Sequence, residues 1–173
     1  MAKVKRSGAN VKKDIETIVK LISENADRIR TSTFNTVKGQ MARRIWNQGL
    51  ATDGSRIGNY TIPYKKRRNE AGFRIDTVDL EVTGTLRRSF IVGTGEGRTV
   101  LGMAEQPEPK VSFTKGKLTV KGTSDFDTVE NAIVQEKNFN KEIFAPSKEE
   151  LERGEKTVVK EMNLIVQKAL KQS

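Results

Sequence analysis

The chain has 173 residues, 32 of them Lys or Arg and 22 Asp or Glu, with neither His nor Cys. That length suits one domain with a core of its own. The missing residue types exclude a disulfide scaffold, thiolate metal sites, thiol catalysis and an imidazole general base. No window approaches the roughly 18 apolar residues that a membrane span needs. The start, MAKVKRSGAN, is basic but lacks the apolar stretch of a secretory signal. The expectation is a soluble protein made inside a cell and not bound to a membrane.

In chain order, residues 1–9 read as a flexible basic arm, and residues 10–173 as a single α+β domain. Val11, Ile15, Ile18, Ile22, Ala26 and Ile29 recur at steps of three and four, as do Phe34, Val37, Met41 and Ile45. The spacing predicts one long helix over about 10–48, with Asn10 as cap and Gly49 as stop. A kink is expected at the Thr31-Ser32-Thr33 patch or at Gly39. Trp46, beside the stripe, should be buried.

Residues 49–85 carry Gly, Asp, Asn and Pro with no clean period, so they read as a long extended loop. Loops of that length in compact domains are usually functional or belong to an assembly. Strands are expected at Arg87–Val92, Arg98–Met103, Lys110–Thr114 and Lys117–Lys121. They would form a small antiparallel sheet of about four strands, packed by the long N-terminal helix and a C-terminal one. A helix over about 126–138 should start from Ser124 or Asp125. Ser147 with Glu150 is a capping box for a last helix over about 148–171.

The charge is uneven. Residues 1–90 hold 19 basic and 9 acidic side chains, and residues 91–173 hold 13 of each, so the surplus of ten lies in the first half. A surplus so confined suits a surface that meets phosphate or an acidic partner. Its densest run is Lys65, Lys66, Arg67 and Arg68, beside Tyr60 and Tyr64. Such a run can contact nucleic acid or an acidic protein partner, or it can be solvated.

Other chemistry is thin. Gly93-Thr94-Gly95-Glu96-Gly97 lacks the trailing Lys-Ser/Thr of a phosphate loop and reads as a hairpin turn. Asp53-Gly54-Ser55 reads as a turn, because the alternating oxygens of a calcium loop are absent. Asp76/Asp79 and Glu149/Glu150 are carboxylate pairs that converge on no nucleophile. The expectation is a chain that is not an enzyme and needs no cofactor or metal.

One ordered set of motifs carries a resemblance. It consists of a long helix ending at Gly49, the segment ATDGSRIGNY, then Tyr64, Arg68 and Asp79-Leu80. Thr83-Gly84-Thr85-Leu86-Arg87-Arg88-Ser89 and Ile143-Phe144-Ala145-Pro146-Ser147-Lys148-Glu149-Glu150 follow. This pattern resembles the small neck and tail-completion proteins of tailed bacteriophages, a group that includes head–tail joining, virion-morphogenesis and tail-terminator proteins. The resemblance spans about residues 10–93 and 140–170 and leaves open a source in a crAss-like phage. It departs from the family in having no His, and 104–124 reads as a hairpin insertion. It implies a structural subunit of a homo-oligomeric ring between a DNA-filled head and a tail. That subunit would be made in the bacterial host cytoplasm and located in the virion. Portal, neck or tail proteins would be its partners, with non-specific contact to genomic DNA in the channel. Ile57, Tyr60, Tyr64, Leu80, Thr83, Gly84 and Leu86 are the expected subunit-interface residues. Leu80, Leu86 and Phe90 would anchor the loop. The alternative is a basic nucleic-acid-binding module without catalytic activity.

Overall fold

The computed structural model describes residues 8–81, 83–95, 98–114 and 117–172. The predicted basic arm lies largely outside these residues, as do Glu96-Gly97 and Lys115-Gly116 of the two predicted turns.

The first long helix forms in three pieces: α1 (Gly8–Glu24), α2 (Ala26–Ala42) and a π-helical turn, Arg43–Gln48. The break is at Asn25, not at 31–33 or Gly39. Asn25 leaves helical geometry at φ −102°, ψ 7°, and its side-chain amide bonds the Leu21 carbonyl at 2.8 Å. The Thr/Ser patch stays helical: the Thr33 hydroxyl, and that of Thr36 just beyond the patch, bond the carbonyls of Ile29 and Ser32 four residues back, a contact whose cost to a helix is slight. Gly49, at φ 66°, ends the helix as its sequence position predicts.

Residues 49–85 are not an extended loop. Leu50 and Arg56 form a β-bridge, closed over a turn in which the Ser55 amide and hydroxyl bond Asp53. Helix α3 (Ile62–Glu70) follows, and a short α4 (Thr85–Ser89) opens where a strand was expected. Gly84, at φ 75°, supplies the left-handed residue that starts α4.

The strands are β1 (Phe90–Gly95), β2 (Arg98–Met103), β3 (Pro107–Thr114) and β4 (Lys117–Asp127). They form two separate antiparallel ribbons, β1–β2 and β3–β4, so the expected four-stranded sheet is corrected to two-stranded units. Pro107 and Pro109 lack the amide donors that would let β3 continue a ladder, and the β3–β4 register slips at both. Thr128 clamps the connection between the ribbons. Its hydroxyl donates to the Ala104 carbonyl at 2.6 Å and accepts from the Gln106 amide at 3.1 Å. Helix α5 (Thr128–Phe139) is capped by Asp127, whose carboxylate takes the Val129 and Glu130 amides while Glu130 reaches back. Helix α6 (Lys148–Gln172) starts from the predicted capping box: Glu150 accepts the Ser147 amide at 2.8 Å, and its own amide bonds Ser147 Oγ.

The layers are mixed helix and antiparallel strand. Helix α6 runs antiparallel to α2, pairing Arg28 with Glu161 and Thr36 with Thr157. Gly154 permits the close approach: a Cβ there would sit 2.9 Å from Val37 Cγ2. The core gathers Val37, Met41, Ile45, Trp46, Ala51, Ile57, Val78, Phe90 and Ile143. Trp46 is buried, as expected, with the Phe90 ring centroid 5.6 Å from its own.

A buried ion pair fixes how these parts meet. Arg44 donates to both Glu150 oxygens, at 2.8 and 3.3 Å, and to the carbonyls of Leu50, Ile143 and Ala145. Glu150→Ala leaves that guanidinium buried without its counter-charge and removes half of the α6 cap. It should destabilise the fold by about 3–5 kcal/mol in urea denaturation. A loss below about 1 kcal/mol would show that the pair does not hold these segments together.

Candidate nucleic-acid or partner interface

The basic run forms a helix for local reasons. Thr61 is extended at its N-cap position, and Pro63 falls in the first turn, where its missing amide costs nothing. Arg67 and Arg68 stand in the last turn, favourable to the helix dipole. Side chains four apart share a helix face, so Tyr64 and Arg68 point one way while Lys65, Lys66 and Arg67 are exposed on the others.

Arg68 is therefore not a surface contact. It is 1% exposed. It makes a two-pronged pair with Asp79 at 2.8 and 3.0 Å and donates to the carbonyls of Arg74 and Glu81 at 3.0 and 2.9 Å. Aromatic rings surround the cation, with centroids at 4.5 Å (Tyr60), 5.2 Å (Phe73) and 5.9 Å (Tyr64). The Tyr60 hydroxyl donates to Asp79 at 2.9 Å and accepts the Asp79 amide at 3.2 Å. Leu80, at φ 51°, holds a left-handed backbone between two groups that face this cation. The turn lets Asp79 also accept the Glu81 amide at 3.0 Å.

The expected interface residues are divided by the fold. Ile57 and Leu86 are buried in their own chain, which corrects their reading as subunit contacts. Tyr60 and Leu80 pack against the core, and Tyr64 lies edge-on to Tyr60 at 5.2 Å. Thr83 and Gly84 are half-buried. The Thr83 hydroxyl shares a 3.0 Å hydrogen bond with Thr85, and its carbonyl takes Arg88. Thus the structure brings Tyr60, Tyr64 and Leu80, all half-buried, together around the buried Arg68. Lys65, Lys66 and Arg67 stay outside, on an element that Arg68 ties to residues 79–81.

The carboxylate pairs are divided as well. Asp76 is exposed beside Arg74 at 3.0 Å, whereas Asp79 is buried on Arg68. Glu149 is exposed and Glu150 is buried on Arg44. Each of the two buried carboxylates is thus an acceptor held by a guanidinium. The sequence reading missed both nodes. The available signal was a charged residue set between apolar ones, as in Val78-Asp79-Leu80.

No protein-family model, curated protein or solved structure matches this chain.

Burial pushes the Tyr60 hydroxyl above its ordinary value of 10.0; Arg68 opposes the rise and Asp79 adds to it. A raised folded value contributes stability that is complete below the unfolded value and fades as pH climbs past it. Unfolding free energy should therefore fall as pH rises beyond about 10 and fall less steeply in Tyr60→Phe. Equal slopes would remove Tyr60 as the cause. Arg68→Ala should destabilise by about 3–5 kcal/mol, because Asp79 is left buried and unpaired. Lys65→Ser/Lys66→Ser/Arg67→Ser together should stay within about 1 kcal/mol of wild type, and a larger loss would mean that the exposed row is structural.

Proposed function

We propose that the chain is a non-catalytic structural subunit of a bacteriophage neck or tail-completion ring, joining a DNA-filled head to a tail. The observation that supports this reading best is apolar surface left uncovered on the helical pair. Val11, Ile15 and Val19 of α1 and Val159 and Met162 of α6 are exposed. A helix pair with apolar side chains open to water is a surface made for another protein. The resemblance in the helix, the DGS segment and the Ser147–Glu150 capping box agrees with this reading. Portal, neck or tail proteins of the same particle would be its neighbours.

In this reading Lys65, Lys66 and Arg67 face DNA in the channel or an acidic neighbour. A rigid helix presenting three cations binds phosphate without reading bases. Replacing all three by Ser should lower particle yield or genome retention while the thermal unfolding midpoint stays put. Normal yield with full genomes would take the row out of the mechanism.

The same exposed cations favour a second reading, a nucleic-acid-binding module. Salt dependence separates the two. Three phosphate contacts give a slope of roughly −2.7 in log affinity against log salt. A monomer that binds duplex DNA tightly with that slope, and is never found in particles, would replace the ring reading.

A further inference from the structure

The β3–β4 ribbon sorts its residues by face. Val111 pairs with Val120 and Phe113 with Leu118, while Ser112 pairs with Thr119 and Thr114 with Lys117. Residues directly opposite each other in an antiparallel pair share a face, and successive residues alternate. Val111, Phe113, Leu118 and Val120 therefore fall on one face. Lys110, Ser112, Thr114, Lys117 and Thr119 fall on the other. On this second face Lys110, Ser112 and Lys117 are exposed and Thr119 is half-buried. Among the described residues, neither Lys110 nor Lys117 has an ion-pair partner.

We infer that this polar face binds the phosphate backbone of duplex DNA. The site is separate from Lys65, Lys66 and Arg67 of α3, and it does not rest on the ring reading. Three observations select the ligand.

The first is charge. Residues 110–121 contain Lys110, Lys115, Lys117 and Lys121 and no acid. Acids return only toward the root of the ribbon, at Glu108 and Asp125, and Asp127 there caps α5. The even balance of the second half of the chain hides this local run. A dozen residues with cations alone attract a polyanion.

The second is the kind of polar group. Lys, Ser and Thr are donors that contact phosphate oxygens. Lys and Ser are depleted in protein–protein interfaces, so an acidic protein surface fits the face less well. The face also lacks the Arg, Asn and Gln that pair in two-pronged fashion with bases. Binding is therefore to backbone and not to sequence.

The third is shape. Two strands about 4.8 Å apart make a ribbon that the major groove of B-form DNA, about 12 Å wide, admits. Lys117 lies opposite Thr114, so it stands about 14 Å along the ribbon from Lys110 and on the other strand. Cations so placed reach more than one phosphate. A bilayer suits the ribbon less, because immersing the apolar face would turn these lysines away from the headgroups.

The root of the ribbon is tied to the domain. Pro107 pairs with Asp127, and the Thr128 amide bonds the Gln106 carbonyl at 2.9 Å. A duplex held by the ribbon is thus held by the whole chain.

The test uses the full-length protein and a duplex of mixed sequence, with binding followed by fluorescence anisotropy across a salt series. Wild type should bind, with log affinity falling linearly in log salt. Lys110→Ser/Lys117→Ser should bind more weakly, with a slope about 1.8 less steep, the share of two phosphate contacts. Its circular dichroism spectrum and unfolding midpoint should match wild type, since both positions are exposed. Lys110→Arg/Lys117→Arg keeps the charge and should keep affinity and slope. A wild type that does not bind the duplex at low salt overturns the inference. So does a double Ser variant with wild-type affinity and slope. If Lys65→Ser/Lys66→Ser/Arg67→Ser abolishes binding while the ribbon variant leaves it intact, the contact belongs to α3 and the inference falls. Ribbon-dependent binding to anionic phospholipid vesicles or to polyglutamate, without binding to the duplex, names another class of partner and also overturns it.

A second measurement removes no lysine. The chain has no native cysteine, so Thr119→Cys and Val120→Cys each accept a single photo-crosslinking label. The label at Thr119 should capture the duplex. The label at Val120, on the opposite face and 55% exposed, should not. Equal capture from both, or capture from Val120 alone, overturns the assignment of the face. A protein never found in particles that shows the ribbon-dependent slope keeps this site and ends the ring reading. A particle subunit whose ribbon variant binds DNA like wild type keeps the ring reading and loses this site.

Discussion

One guanidinium organises the molecule. Arg44 leaves the end of the first helix and enters a space bounded by Leu50, Ile143, Ala145 and Glu150. Residues about a hundred positions apart in sequence are thereby held to one side chain. Its planar fork can satisfy carbonyls and a carboxylate together, which an ammonium cannot do with the same geometry. Glu150 serves two ends at once, as counter-charge to Arg44 and as cap for the longest helix. The start of α6 is therefore positioned from the first helix, and the pairing of the two helices follows from that point.

A second guanidinium repeats the solution on a smaller scale. Arg68 binds Asp79 and two carbonyls inside a ring of aromatic faces. With hydrophobic residues only 35% of the chain, the apolar core alone is modest. The two polar nodes extend order into segments that have little greasy surface to bury. Each guanidinium donates from all three of its nitrogens, and a satisfied buried network specifies a single arrangement where a half-satisfied one would be costly. Leu80 shows the strain this tolerates, because a branched residue in a left-handed turn persists only when its surroundings hold it there.

How much was legible in the sequence depended on whether the signal was local. The long amphipathic stretches, the Gly49 stop and the Ser147–Glu150 box rest on neighbours within a turn, and they appear where the spacing puts them. The π-turn and the Asn25 interruption left no comparable mark. Residues 49–85 failed as a loop because a nine-residue helix carries only about two and a half turns of periodicity, masked here by Pro63 and a row of cations. The cations themselves misled: four in succession look like one patch, yet 3.6 residues per turn must send one of them elsewhere, and the aromatic faces of Tyr60, Tyr64 and Phe73 drew in Arg68. The separation of the strands into two ribbons was not readable, since pairing between β2 and β3 depends on where distant Thr128 ties the linker.

The wide turn at Arg43–Gln48 has a consequence for how the gene can change. A π-turn holds about one residue more than the α-turn it replaces, and here that surplus sets the phase in which Arg44, Ile45 and Trp46 all come to rest in the interior. Substitutions on its outer side, at Asn47 or Gln48, leave the winding as it is. A deletion of a single codon would tighten the turn to ordinary pitch and rotate every side chain before it relative to those after it. The segment is in this sense a counted length, tolerant in spelling and intolerant in number.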